Sequence, residues 1–200
     1  MSERSVPMKR HLSRLICLLL FLPVLMVCAA SPAMAAPVTY KRTVEKYQVP
    51  DVILTNQFGK KVRLKTLLES GRPVAVDFIY ATCTTICPVL SAGYTNLQRK
   101  LGADSAKVQL VSITIDPEND NPKVLKEYLQ RYQAKPGWDF LTGSRKDIDR
   151  VMHAFDAYFR DKMDHKPLTF IRGVDGSWIR LYGLISSSEF LAEYKKAGLL

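Results

Sequence analysis

The chain has 200 residues, and its 29 lysines and arginines against 19 aspartates and glutamates give a formal net charge of +10. With 47% apolar and 24% charged residues it has the composition of an ordinary folded protein, which excludes a disordered or low-complexity chain. No basic run is interleaved with aromatics, which argues against a nucleic-acid surface, and the length suits one domain plus a targeting segment.

Residues 1–36 stand apart. Lys9, Arg10 and Arg14 precede an apolar run from Leu15 to Ala30, and Ala33-Met34-Ala35 follows. A basic flank, a short apolar core and small residues describe a secretory signal peptide. The run is shorter than the roughly 18–20 residues that span a bilayer, and Pro23 interrupts it. The expectation is an exported, periplasmic protein whose mature domain covers residues 37–200. Left uncleaved, the same segment would anchor the chain to the inner membrane. Leu25-Met26-Val27 lacks the small residue that a lipoprotein signal places before its cysteine, so Cys28 is not read as lipidated. Cleavage removes Cys17 and Cys28, four of the 29 basic residues and one of the 19 acidic ones. Cys83 and Cys87 remain, with 25 basic against 18 acidic residues, a net +7. That surplus suits acidic partners or anionic head groups, or is simply a well-solvated surface.

After an extended lead-in through Val38–Pro50, two strand-like runs flank Asn56-Gln57-Phe58-Gly59 and predict a hairpin. Arg72–Tyr80 is almost continuously apolar, as a strand buried on both faces should be. A helix is expected from Pro88, with Leu90, Tyr94, Leu97 and Leu101 on one face and Gly102 as its stop. Lys107–Ile115 is a second buried strand. Asn121-Pro122 reads as a cap and first turn of a helix to about Tyr132, and Trp138–Gly143 as a short strand. Ser144 caps a helix expected to run to Tyr158. Leu168–Gly183 predicts two strands around Asp175-Gly176, and Ser187 or Ser188 caps a closing helix. This order indicates an α/β fold, a mixed sheet with helices on both faces, and places Cys83 and Cys87 at the carboxyl end of a central strand, where such sheets hold their sites.

Two thiols four residues apart in TCTTICP (Thr82–Pro88) read as a structural disulfide, a redox pair or two ligands of a soft metal. A disulfide here would close a very short loop and add little stability. The helix N-terminus favours a nearby thiolate. Thiolates suit Cu(I), zinc or iron–sulfur clusters, but a structural zinc usually takes four ligands and a cluster usually four cysteines. Beyond residue 36 there are two histidines. His153 lies within the helix expected after Ser144 and reads as a core or edge residue. His165 stands in the irregular KMDHKP before a strand. It is either an ordinary loop residue or, if that loop returns beside the cysteines, the third ligand of a Cys2His copper site.

The segments ATCTTICP, SITIDPENDNPKVLKEY, FLTGS and MDHKPLTFIRGVDGSWIRLYG, in this order over most of residues 45–198, resemble the SCO/SenC family of copper chaperones. The resemblance implies a thioredoxin-like fold with an added N-terminal β-hairpin. It also implies copper, as Cu(I) or Cu(II), held by Cys83, Cys87 and His165, with the cysteines a redox-active disulfide when metal-free. Its implied partners are a CuA-containing subunit of cytochrome c oxidase or another cuproprotein, and a periplasmic thiol reductant. Asp116-Pro117-Glu118 also matches, with no ligand role assigned. The chain departs from the family where Thr84-Thr85 replaces the common Pro-Asp, where the segment before His165 is shorter, and where Lys166 and Pro167 follow it.

Three other readings compete. A thiol-disulfide oxidoreductase would share the cysteines, dispense with His165 and give Pro167 the role of a cis-proline beside them. A thiol peroxidase would use Thr84, Cys87 and Pro88, but Tyr80 stands where its signature wants a proline. A binding module would dock on an assembly partner without carrying copper.

Overall fold

The computed structural model describes residues 40–198; the expected export signal, with Cys17 and Cys28, lies outside them. Eight strands form one mixed sheet: β1 (Lys41–Glu45), β2 (Ile53–Asn56), β3 (Lys61–Arg63), β4 (Val74–Ile79), β5 (Gln109–Thr114), β6 (Trp138–Thr142), β7 (Leu168–Arg172) and β8 (Trp178–Tyr182), in the order β1-β8-β7-β4-β5-β6-β2-β3. β4, β5 and β6 are parallel neighbours, and the other pairings are antiparallel. All six residues of β4 and of β5 are buried, which is why both read as unbroken apolar runs.

Five α-helices accompany the sheet: α1 (Leu64–Leu68), α2 (Cys87–Leu101), α3 (Pro122–Arg131), α4 (Arg145–Ala154) and α5 (Ser187–Lys196). On one face Tyr94 of α2 meets Trp138 edge-on at 5.3 Å, Tyr128 of α3 meets Phe140 at 5.4 Å, and Phe190 of α5 stacks on Tyr94 at 5.7 Å. Strand alternation puts Phe78 and Phe170 on the other face. There they pack against Phe155, immediately after α4, at 5.9 and 5.3 Å, and Tyr47 joins them. Helices therefore cover both faces, as the order of elements implies. None among the described residues is long and apolar enough to cross a membrane.

Some local expectations hold and are sharpened, and others are corrected. The lead-in is a true edge strand, β1, paired with β8. Tyr40 and Arg42 donate to the fully buried carboxylate of Glu193 and tie this edge of the sheet to α5, and Lys196 of the same helix donates to it as well. Burial alone would raise Glu193, but these three partners hold it below the usual carboxylate value. The expected N-terminal hairpin is β2–β3, at the opposite edge of the sheet. α2 begins one residue early, at Cys87, with Pro88 in its first turn. α4 stops at Ala154 rather than Tyr158. Asp156 takes a left-handed φ of 50°, and the N–H groups of Asp156 and Ala157 return to the carbonyls of His153 and Met152. The cap of α5 is Ser186, not Ser187 or Ser188, because Glu189 three residues on closes a reciprocal capping box with it. Every peptide bond among the described residues is trans, so Pro167 is not a cis-proline.

Candidate metal centre

β4 leads directly into the cysteine turn. Ala81 N–H donates to Asp120 at 3.1 Å, and Cys83 N–H returns to the Tyr80 carbonyl at 3.2 Å. Cys87 then opens α2. His165 reaches this turn from 78 residues away because β7 runs antiparallel beside β4. The chain entering β7 therefore arrives at the end where β4 leaves. A short 3-10 turn, Lys162–Asp164, delivers the histidine.

The three side chains converge. Cys87 Sγ lies 3.3 Å from His165 Nε2, and one ligand atom from each of Cys83, Cys87 and His165 lies within 4.8 Å of the others. All three residues are buried. His165 Nδ1 is 2.9 Å from the Lys162 carbonyl, so Nδ1 carries the proton and the Nε2 lone pair faces the sulfurs. Burial lowers the His165 pKa and favours the neutral ligating form. Donor atoms this close can close on one small soft cation, whose metal–ligand bonds are about 2.0–2.3 Å. Among the described residues this is the one cluster of at least three Cys, His or acidic groups so disposed. His153 is exposed and stacks on Tyr158 at 4.1 Å, away from the site.

The thiols are not equivalent. Burial would push Cys83 up, but hydrogen bonds from the Cys87 thiol and backbone N–H, and from the hydroxyl and N–H of Thr85, bring it from 9.0 down to about 7. Cys87 is pushed well up, first by burial and then by its hydrogen bond to Cys83. Thr85, a departure from the family pattern, thus stabilises the Cys83 thiolate, its Oγ1 lying 3.6 Å from the sulfur. Alkylation of the reduced, metal-free protein with iodoacetamide should rise with a midpoint near pH 7 and label Cys83, with Cys87 modified slowly. Predominant labelling of Cys87, or a midpoint at the ordinary thiol value of about 8.5, would refute this assignment.

Several supporting residues act in ways that no motif assigns. Asp120 accepts from Ala81 N–H and, at 2.5 Å, from the Thr114 hydroxyl. Lys162 Nζ donates to Asp116 at 2.6 Å, and Arg145 pairs with Glu118. The acidic loop Asp116–Asp120 thus grips both the cysteine turn and the histidine turn without supplying a ligand. Tyr80 lies edge-on to His165 at 5.3 Å, and burial, with the Cys83 sulfur beside its hydroxyl, pushes it up to about 12. The acid-rich run after β5 was visible in the sequence, but nothing there said what it held.

The profile of the SCO1/SenC family matches residues 42–197. The chain is 34% identical over 165 residues to the SCO1 protein homolog of Bacillus subtilis, covering 77% of this chain and 84% of that one. It superposes on the solved structure of BsSco, a member of the Sco family of cytochrome c oxidase assembly proteins with a disulfide switch, with a TM-score of 0.64 and 33% identity, covering 78% of this chain and 95% of that one. The copper-bound ScoI of Bradyrhizobium japonicum superposes with a TM-score of 0.61 and 27% identity over 81% of this chain and 99% of that one. The fold is therefore thioredoxin-like, as the resemblance implied. A family profile matched from β1 to the end of α5, around two cysteines and a histidine brought together by β4, α2 and the approach to β7, leaves one conclusion: the chain belongs to the SCO1/SenC family.

Proposed function

We propose that this protein is an exported copper carrier that holds copper between Cys83, Cys87 and His165 and delivers it to a cuproprotein, a CuA-type centre of cytochrome c oxidase being the acceptor the relatives suggest. The observation that carries this reading is the buried Cys83–Cys87–His165 cluster with His165 held in its ligating tautomer. Supporting it are a ScoI relative with copper bound and the oxidase-assembly family of BsSco. Copper is the cargo. Two thiolates favour Cu(I), and the imidazole makes the site tolerant of Cu(II). In the oxidised protein a Cys83–Cys87 disulfide would first accept two electrons and two protons from a dithiol partner, which leaves as its own disulfide. Copper then enters and is passed on by ligand exchange. The basic flank and apolar run of residues 1–36 support secretion to the periplasm, with inner-membrane anchoring if that segment is retained.

A second reading, thiol-disulfide exchange on the acceptor's cysteines, is favoured by the split between an activated Cys83 and a buried, protonated Cys87. The same split disfavours the peroxidase reading, which needs Cys87 as the activated thiolate.

Titration of the reduced mature protein with Cu(I) and Cu(II) separates these readings. His165→Ala should lose at least the roughly 10–100-fold in Cu(II) affinity that even an outer-sphere loss costs, with Cu(I) affected less, and Cys83→Ser should lose both. If His165→Ala keeps wild-type Cu(II) affinity, the carrier reading fails and the oxidoreductase reading replaces it.

A further inference from the structure

Met163 is the outlying sulfur of this site. It lies in the 3-10 turn two residues before His165 and is 69% exposed, so its thioether is open to an incoming partner. The turn beneath it is fixed: Asp161 accepts from Met163 N–H at 2.9 Å, Asp164 N–H returns to Asp161 O at 3.0 Å, and Lys162 is tied to Asp116. Its sulfur is also oriented, because the Tyr80 hydroxyl donates to Met163 Sδ at 3.4 Å. Tyr80 in turn packs edge-on against His165 and faces the Cys83 sulfur. One aromatic side chain therefore bridges the buried donors and an exposed thioether.

The three buried donors, at 6%, 0% and 7% exposure, leave an incoming acceptor ligand little room to approach. A thioether at the rim answers that difficulty. It is neutral at every pH, soft, and a weak ligand for Cu(I) with little affinity for Cu(II). We propose that Met163 is a relay ligand for Cu(I), the first donor to take the ion as it leaves the buried site and the last to release it to the acceptor. In the exchange one Cu–N(His165) bond breaks as one Cu–S(Met163) bond forms. Copper stays Cu(I), no electron moves, and the thioether neither gains nor loses a proton. The Cu–S(Met163) bond is then replaced by a bond to an acceptor thiolate.

The inference rests on the copper-carrier reading, and the two fail separately. The test loads the reduced mature protein and its Met163→Leu variant with Cu(I) and mixes each with excess bathocuproine disulfonate, following transfer by stopped-flow absorbance. Equilibrium Cu(I) affinity is measured in parallel by competition, and the Cu(II) absorption spectrum is recorded. Met163→Leu preserves shape at an exposed position and should fold normally. The expected result is transfer slowed by about tenfold or more, equilibrium affinity within about threefold, and an unchanged Cu(II) spectrum. Tyr80→Phe, which removes the hydroxyl that aims the sulfur, should slow transfer to a smaller degree. Wild-type transfer rates in Met163→Leu overturn the relay. So does an affinity loss as large as the rate loss, which would make Met163 a resident ligand. A wild-type protein that binds no Cu(I) overturns the carrier reading itself.

Discussion

Replacing Asp77 with asparagine should raise the unfolding free energy of the reduced, metal-free protein at pH 8 by about 4 kcal/mol relative to wild type. Asp77 sits on β4 between β5 and β7, is fully buried, and neither of its carboxylate oxygens has a hydrogen-bond partner at normal geometry. The Ser112 hydroxyl, which accepts from Trp138 Nε1, offsets the burial only in part. Desolvation accordingly pushes the carboxyl from 3.8 up to about 7. The sign follows from proton binding. Between those two values the folded chain holds a proton that the unfolded chain has released, so stability falls as pH rises through that window and is level above it. Three units at about 1.4 kcal/mol each give the magnitude. Asparagine is neutral throughout and keeps the shape. Urea unfolding of both proteins between pH 4 and 8 should show a gap that is small at pH 4, widens to pH 7 and then holds constant. A gap independent of pH would show that the Asp77 carboxyl titrates alike in the folded and unfolded chains and is not pushed up by burial, and one still widening at pH 8 would show that it stays protonated in the folded protein. Asp77 also adds to the upward push on Cys87, so the substitution should ease deprotonation of that thiol.

Such a residue illustrates what the sequence carried and what it did not. Asp77 interrupts an otherwise apolar run without hiding the strand, since six buried residues in a row still read as the centre of a parallel sheet. α3 was legible because Asn121-Pro122 is a local signal, and the Asn121 side chain does accept from the N–H groups of Lys123 and Val124. α1 was not: it is five residues long, its N-cap makes no side-chain bond, and it rests on Leu64 and Leu68 being buried by distant partners. β1 escaped for the same reason, as its partner β8 lies more than 130 residues away. The serine that caps α5 was readable in principle, because Glu189 selects Ser186 by spacing, but three successive serines obscured it. At the site, the cysteines announce themselves by spacing, and His165 by its place before a strand. That these meet depends on β7 lying antiparallel to β4, which is a fact of topology. Asp120 and Met163 lie in segments that resemble the family, but what they and Tyr80 do was not legible, because each acts through a contact that only the folded chain creates.

Asp120 provides the second large effect. Asp120→Ala should cost about 3 kcal/mol of stability, whereas Asp120→Asn should stay within about 1 kcal/mol of wild type. One oxygen, Oδ2, receives both the Ala81 N–H and the Thr114 hydroxyl, and the residue is fully buried. Alanine leaves both donors without a partner in a place water does not reach, and each orphan costs about 1–3 kcal/mol. Asparagine keeps an acceptor oxygen in the same position and removes a charge that burial already disfavours. The two variants should also differ at the proposed metal site. Ala81 opens the turn that carries Cys83, while Asp116 in the same acidic loop holds Lys162 beside His165. Losing Asp120 therefore loosens the spacing between the thiols and the imidazole with all three proposed ligands intact, and Cu(I) affinity measured by chelator competition should fall by about 10–100-fold. Urea unfolding and that competition, run on the same two variants, test both halves together. An alanine variant as stable as wild type would remove the anchoring role, and one that is destabilised yet binds copper normally would show that the turn holds its shape without Asp120.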